Sequence, residues 1–236
     1  MLKPTSPMRT QVIAGPLAIA SRSKAMVRVA ALGSGLLALA FSLGQAAQAA
    51  TVFDNGAPNQ VYGTNMSGNV VAEDFTLGST YDISNIRFWS IQSAAADYSG
   101  TLSWAIYGNA GGNPGAVLKS GLASAVATAT GLSSGFGYAE YVFNIGTTFQ
   151  LAAGNYWLGL ANNPLNPGNP SEMLWETTST ATGSQAKYLD GSTWFGSGND
   201  LAFRIDGSVP VIPEPDTWAL LLIGMAAVAG FTRRKA

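Results

Sequence analysis

The chain contains no histidine and no cysteine in 236 residues. Without histidine it lacks the commonest general base and the commonest transition-metal ligand. Without cysteine it has no disulfide framework, no thiolate nucleophile and no cysteine-based metal site. Ser-His-Asp and Cys-His catalytic arrangements are therefore excluded. Charge is also scarce, at 11% of residues, and basic charge is scarcest in the middle of the chain. Between Thr51 and Ser208 eleven acids face four bases, Arg87, Lys119, Lys187 and Arg204, a net charge of −7. A nucleic-acid surface needs clustered Lys and Arg to displace counterions, so nucleic acid is not an expected partner. Amphipathic periodicity of helical type is missing as well.

What is present is glycine, 28 of 236 residues, with abundant Ser, Thr and Asn and short alternating runs broken by Gly, Asn, Pro and Asp. This is the strand-and-turn pattern of an all-β sandwich or barrel. Setting the two ends aside leaves about 160 residues, enough for one domain with a real core. That domain is assigned to residues 51–208.

The ends have a different composition. An apolar run from Val29 to Leu43 follows Lys3, Arg9, Arg22, Lys24 and Arg28 and precedes an alanine-rich segment. Ala47 and Ala49 occupy the −3 and −1 positions of a signal-peptidase site, predicting cleavage before Ala50 and making residues 1–49 the signal peptide region with its helix. Met1 and Met26 are both open as the true start. At the other end, a linker over 209–216 carries Pro213, Glu214 and Pro215. Residues 217–236 then supply a short hydrophobic helix, uncharged from Trp218 to Phe231, and a basic end of Arg233, Arg234 and Lys235. About 15 apolar residues rise only about 22 Å as a helix, short of a hydrocarbon core of about 30 Å. The segment suits a transient sorting signal better than a lasting anchor. The basic end should stay cytoplasmic, leaving Pro-Glu-Pro at the outer face.

This tail resembles the PEP-CTERM sorting domain of Gram-negative bacteria that make extracellular polysaccharide. The resemblance implies recognition by an exosortase, with cleavage near Pro213 to Pro215. The expected partners are the secretion machinery, the exosortase and, transiently, the inner membrane. The expected location is the membrane before processing and the cell surface or extracellular space afterwards.

Within the domain, ten strands are expected: Val70 to Leu77, Ile83 to Ile91, Thr101 to Tyr107, Ala116 to Leu122, Tyr138 to Ile145, Thr148 to Leu151, Asn155 to Ala161, Glu172 to Thr178, Ala186 to Asp190 and Leu201 to Asp206. Period-two alternation sends Leu102, Trp104 and Ile106 to the core, with Tyr141, Phe143 and Ile145, Tyr156, Leu158 and Leu160, and Leu201, Phe203 and Ile205. A type II turn is expected at Pro114-Gly115 and a short hairpin at Leu151 to Asn155, with Gly154 in the left-handed region. Asn162 to Ser171, with three prolines, reads as a long exposed loop. The segments Phe75-Thr76-Leu77, Ile86-Arg87-Phe88-Trp89, Ala105 to Gly108 with Gly111 to Gly115, and Leu151 to Leu158 resemble a β-sandwich domain recurrent in PEP-CTERM proteins. That resemblance implies a jelly-roll-like antiparallel fold and no particular activity.

The chemistry still open is that of carboxylates and aromatic rings. A carboxylate-pair glycosidase would draw on Glu73, Asp74, Glu140, Glu172 and Glu176. Glu172 and Glu176, at i and i+4 on one strand, lie roughly 13 Å apart, too far to flank one bond. Calcium has oxygen-rich candidates at Asp54-Asn55, Asp190-Gly191-Ser192 and Asn199-Asp200, none with the spacing of a known calcium loop. No cofactor or other metal is expected. Trp175, Tyr188, Trp194 and Phe195 neighbour polar loops, where aromatic rings stack on sugars, although all four would also serve as core. The leading expectation is a non-enzymatic envelope or matrix protein of structural or adhesive role, followed by a carbohydrate-binding module for extracellular polysaccharide, then by the glycosidase.

Overall fold

A computed structural model describes residues 49–165, 172–180, 183–210 and 224–225. Pro213, Glu214, Pro215, Arg233, Arg234, Lys235 and Ala47 lie outside the described residues, as do the N-terminal helix and all of the C-terminal one except Gly224 and Met225, which are helical. Ala49 is exposed and Ala50 opens the first strand.

Among the described residues thirteen strands form two antiparallel sheets, an all-β, sandwich-like arrangement. The first sheet holds β1 (Ala50–Asp54), β2 (Pro58–Asn65), β4 (Tyr81–Gln92), β7 (Thr128–Ser133), β8 (Ala139–Leu151), β10 (Met173–Thr178) and β13 (Phe203–Ser208). The second runs β12 (Thr193–Gly196), β11 (Lys187–Asp190), β3 (Val70–Leu77), β9 (Gly154–Asn162), β5 (Leu102–Asn109), β6 (Pro114–Ala123). The spine of the first sheet is β4. Along one edge it pairs with β8 from Tyr81 to Gln92, while the other edge takes β13 up to Phe88 and then β10 from Ser90.

All four alternating sets face the core. Leu102, Ile106, Phe143, Ile145, Leu158, Leu160, Leu201, Phe203 and Ile205 are buried, Trp104 nearly so, and Tyr141 and Tyr156 pack against them half-buried. Alternation fails on β9, where Trp157 and Ala161 are buried too: on this central strand the side chains of β3 and β5 crowd the same face from both sides, as Tyr107 does opposite Trp157. Trp104 lies over Gly121, its partner across the β5–β6 ladder; a Cβ there would sit 2.9 Å from the indole, so glycine makes the room.

Three local expectations are corrected. Leu151 to Asn155 is not a hairpin: β8 and β9 belong to different sheets, and Gly154 is not at positive φ. The link is a corner crossing the sandwich, pinned by the Tyr156 hydroxyl donating to the Ala152 carbonyl at 3.0 Å. Gly154 is small because that phenol passes within 3.1 Å of where its Cβ would be. The turn between β5 and β6 is centred on Gly111 and Gly112, both at positive φ, and closed by paired Ala110 and Asn113 hydrogen bonds. Pro114-Gly115 therefore begins β6 instead of forming the turn. Finally, the two strands expected within Tyr138 to Leu151 are one, with a register shift in which Thr147 and Thr148 lie opposite Ser84 alone. The proline-rich loop is described only as far as Leu165.

Candidate functional site

The strand β2 lies at an edge of the first sheet, and its residues wall an open groove of about 730 Å³. Tyr62 stands on β2, Phe136 and Tyr138 on the segment leading into β8, and Tyr188 on β11. Leu174 and Ile91 floor it, and Glu172 supplies the carboxylate. Tyr62 and Phe136 are 53% and 72% exposed, which is unusual for rings of that size in a domain with a well-filled core. Glycines explain the exposure. Phe136 sits between Gly135 and Gly137, the latter at positive φ, on a turn closed by Gly137 N–H to the Ser134 carbonyl at 2.9 Å. Tyr62 precedes Gly63, whose missing side chain lets β2 approach Leu174 on β10. The Tyr138 hydroxyl donates to Glu172, and this bond, with burial and the carboxylate charge, raises the Tyr138 pKa.

Behind the groove, on the same outer face of the first sheet, Glu140 and Glu176 are both buried. Gln60 joins them: its backbone N–H donates to Glu176 Oε1 at 2.7 Å and its side-chain amide to Glu140 Oε2 at 2.5 Å. Gln60 does so at φ 56, the left-handed region that costs a non-glycine residue energy. Burial, then the charge of Glu140, pushes the Glu176 pKa up to about 8, the Gln60 N–H opposing. Glu176 Oε2 meets no hydrogen-bond partner among the described residues, so no donor at that oxygen favours the ionised form.

The glycosidase candidates are thus distributed over three places. Glu172 enters the groove, while Glu140 and Glu176 converge but are buried and tied to one glutamine. Glu73 is buried elsewhere and accepts from Leu201 N–H at 2.7 Å. Its pKa lies well above the usual range because of burial, with Asp200 and Asp74 adding to the effect. Asp74 accepts from Ser184 N–H at 3.0 and 3.1 Å. Of the oxygen-rich turns, Asp54-Asn55 approaches the chain just after Asn199-Asp200, where Asn55 Nδ2 donates to the Leu201 carbonyl at 2.9 Å. Asp54 is paired with Arg204 at 2.9 Å, Gly191 is at positive φ in the β11–β12 turn, and no cluster of three acids suited to a metal occurs among the described residues.

Of the aromatic candidates, only Tyr188 lines the groove. Trp175 is a correction: it is fully buried between Phe88 and Phe203 and donates its indole N–H to the Ala202 carbonyl at 2.9 Å, so no ligand reaches it. Trp194 packs edge-on against Tyr107 away from the groove, and Phe195 stacks on Tyr188. Tyr62, Phe136 and Tyr138 were not expected as site residues. A single aromatic flanked by glycine, as in Gly135-Phe136-Gly137, has no neighbours with which to form a core face, and that was their signal in the sequence.

No protein-family model matches the chain, and no curated protein matches it.

Proposed function

We propose that this chain is an exported protein of the cell envelope or extracellular matrix, released by exosortase processing at its tail, whose sandwich holds extracellular polysaccharide in the aromatic groove. The role is adhesive rather than catalytic. The observation that carries the binding part is the groove itself: four aromatic side chains around an open trough, two of them more than half exposed. Exposed rings stack on the C–H faces of pyranoses, and an open site accepts a polymer without needing its end. The jelly-roll-like reading of the sandwich is supported by the way the chain alternates between sheets, as from β3 to β4 to β5 and from β8 to β9 to β10. The sorting part rests on the order Pro213-Glu214-Pro215, apolar segment, Arg233-Arg234-Lys235.

Two results test the parts separately. Tyr62→Ala combined with Phe136→Ala is expected to reduce retention on the producing cells' own polysaccharide by about tenfold or more, with the unfolding midpoint little changed because both rings are exposed. Unchanged retention would remove the groove from the reading. Replacing Glu214 with Ala is expected to leave the unprocessed chain in the membrane fraction, read by mass spectrometry of its C-terminus; normal release would remove the exosortase step.

A further inference from the structure

Among the described residues, the lining of the groove contains one formal charge, Glu172, and no base. Tyr138 is its hydrogen-bond partner, and the salt bridge found among the described residues, Arg204 with Asp54, lies elsewhere. The nearest base along the β11–β12 ladder is Lys187, opposite Gly196, and it does not line the groove. On the same sheet Glu140 pairs with Ile91 beside the groove, whereas Glu176, which pairs with Gly63, keeps its proton and adds no charge there. The surrounding domain carries a formal −7 between Thr51 and Ser208, reduced where Glu73 and Glu176 stay protonated. A carboxylate in a trough lined by Tyr62, Phe136, Tyr138 and Tyr188 attracts a cation through its charge and, where a ring presents its face, through the ring quadrupole. An anionic polymer meets repulsion there that nothing in the lining offsets.

On the reading of the groove as a glycan site, we propose that its preferred ligand is a polymer containing unacetylated amino sugars, with the ammonium group placed against Glu172 and the pyranose faces on the aromatic rings. Neutral sugars gain only the stacking. Uronic-acid polymers are rejected. Glu172, oriented by the Tyr138 hydroxyl, is the residue that sets this selectivity. The glycines beside Tyr62 and Phe136 leave the ring faces free for the sugar.

The test measures binding of the purified full-length chain at about pH 6, where amino-sugar amines are protonated and an ordinary glutamate is ionised. The probes are an oligomer of glucosamine, the fully N-acetylated oligomer of the same length, and an oligouronate. The glucosamine oligomer should bind about tenfold tighter than its acetylated counterpart, and the oligouronate weakest. Glu172→Gln should bring the first two to near parity while retaining the acetylated oligomer, and about 0.5 M salt should do the same in the native chain. Equal or tighter binding of the acetylated oligomer, or a preference that survives Glu172→Gln, overturns the proposal. Neutral oligomers bound without amine preference leave the glycan groove standing and remove only its selectivity. Failure of every oligomer, with no effect of Tyr62→Ala and Phe136→Ala on polysaccharide retention, removes both.

Discussion

Replacing Glu176 by glutamine is expected to raise the unfolding free energy at about pH 9 by about 2 to 4 kcal/mol while leaving it nearly unchanged below about pH 4. The sign follows from where the proton resides. In the fold Glu176 holds its proton up to about pH 8, whereas in the unfolded chain a glutamate releases it near pH 4.3. Between these values the folded chain binds more protons than the unfolded one, so stability declines as pH rises through the window and levels off above it. Glutamine keeps the shape of the neutral acid. Its carbonyl accepts from Gln60 N–H as Glu176 Oε1 does, its amide can donate towards Glu140, and it has no proton to lose. Urea unfolding of both proteins across this range measures the effect. An unchanged slope in the variant would show that Glu176 is not the group responsible. Glu73, buried with its pKa also raised, contributes a residual slope of the same sign in both proteins.

Trp175→Ala is expected to cost about 3 to 5 kcal/mol of stability. Phe88 and Phe203 contact the indole edge-on with ring centroids 5.9 Å away in each case, so truncation opens a cavity between two rings fixed by other contacts. It also leaves the Ala202 carbonyl without its indole donor. The unfolding midpoint should fall by many degrees. Glycan retention measured well below the new midpoint should remain close to native, since the indole lies beneath the sheet and not in the groove. A large loss of retention in a still-folded variant would contradict that placement.

The contrast between Trp175 and Tyr62 shows what was legible in the chain before its structure. Alternation marks core faces wherever several apolar residues recur at period two, and β5, β8, β9 and β13 could be read in this way. Leu-Trp-Glu-Thr-Thr around Trp175 has too few repeats to say which side of the strand faces inward; that is decided by the neighbours β2 and β4. The strands that escaped notice lacked the pattern altogether. On β7 every residue is exposed, β2 contains a proline and a glycine, and β12 has only four residues. Their positions come from partners remote in sequence. The same holds for the acids: Gln60, Glu140 and Glu176 are brought together by the β2–β10, β10–β4 and β4–β8 ladders, a coincidence of registers that no short-range spacing encodes. Gly154 had a visible role and the wrong one was inferred, because room for a neighbouring phenol and a left-handed turn both ask for glycine.

The pairing of β1 with β13 places Ala50 opposite Gly207, and β13 in turn fills the place between β1 and β4. A chain that crosses a membrane starting from its N-terminus therefore delivers β1 first and must wait for the last strand before the sheet can close around it. Ser208, the end of β13, comes only a few residues before Pro213. For an exported chain, completion of the sandwich and arrival of the tail at the membrane become nearly the same moment. A protease reading the tail would then act on molecules that have just become able to fold, and a stalled or truncated chain lacking the tail would also lack the strand that closes the sheet.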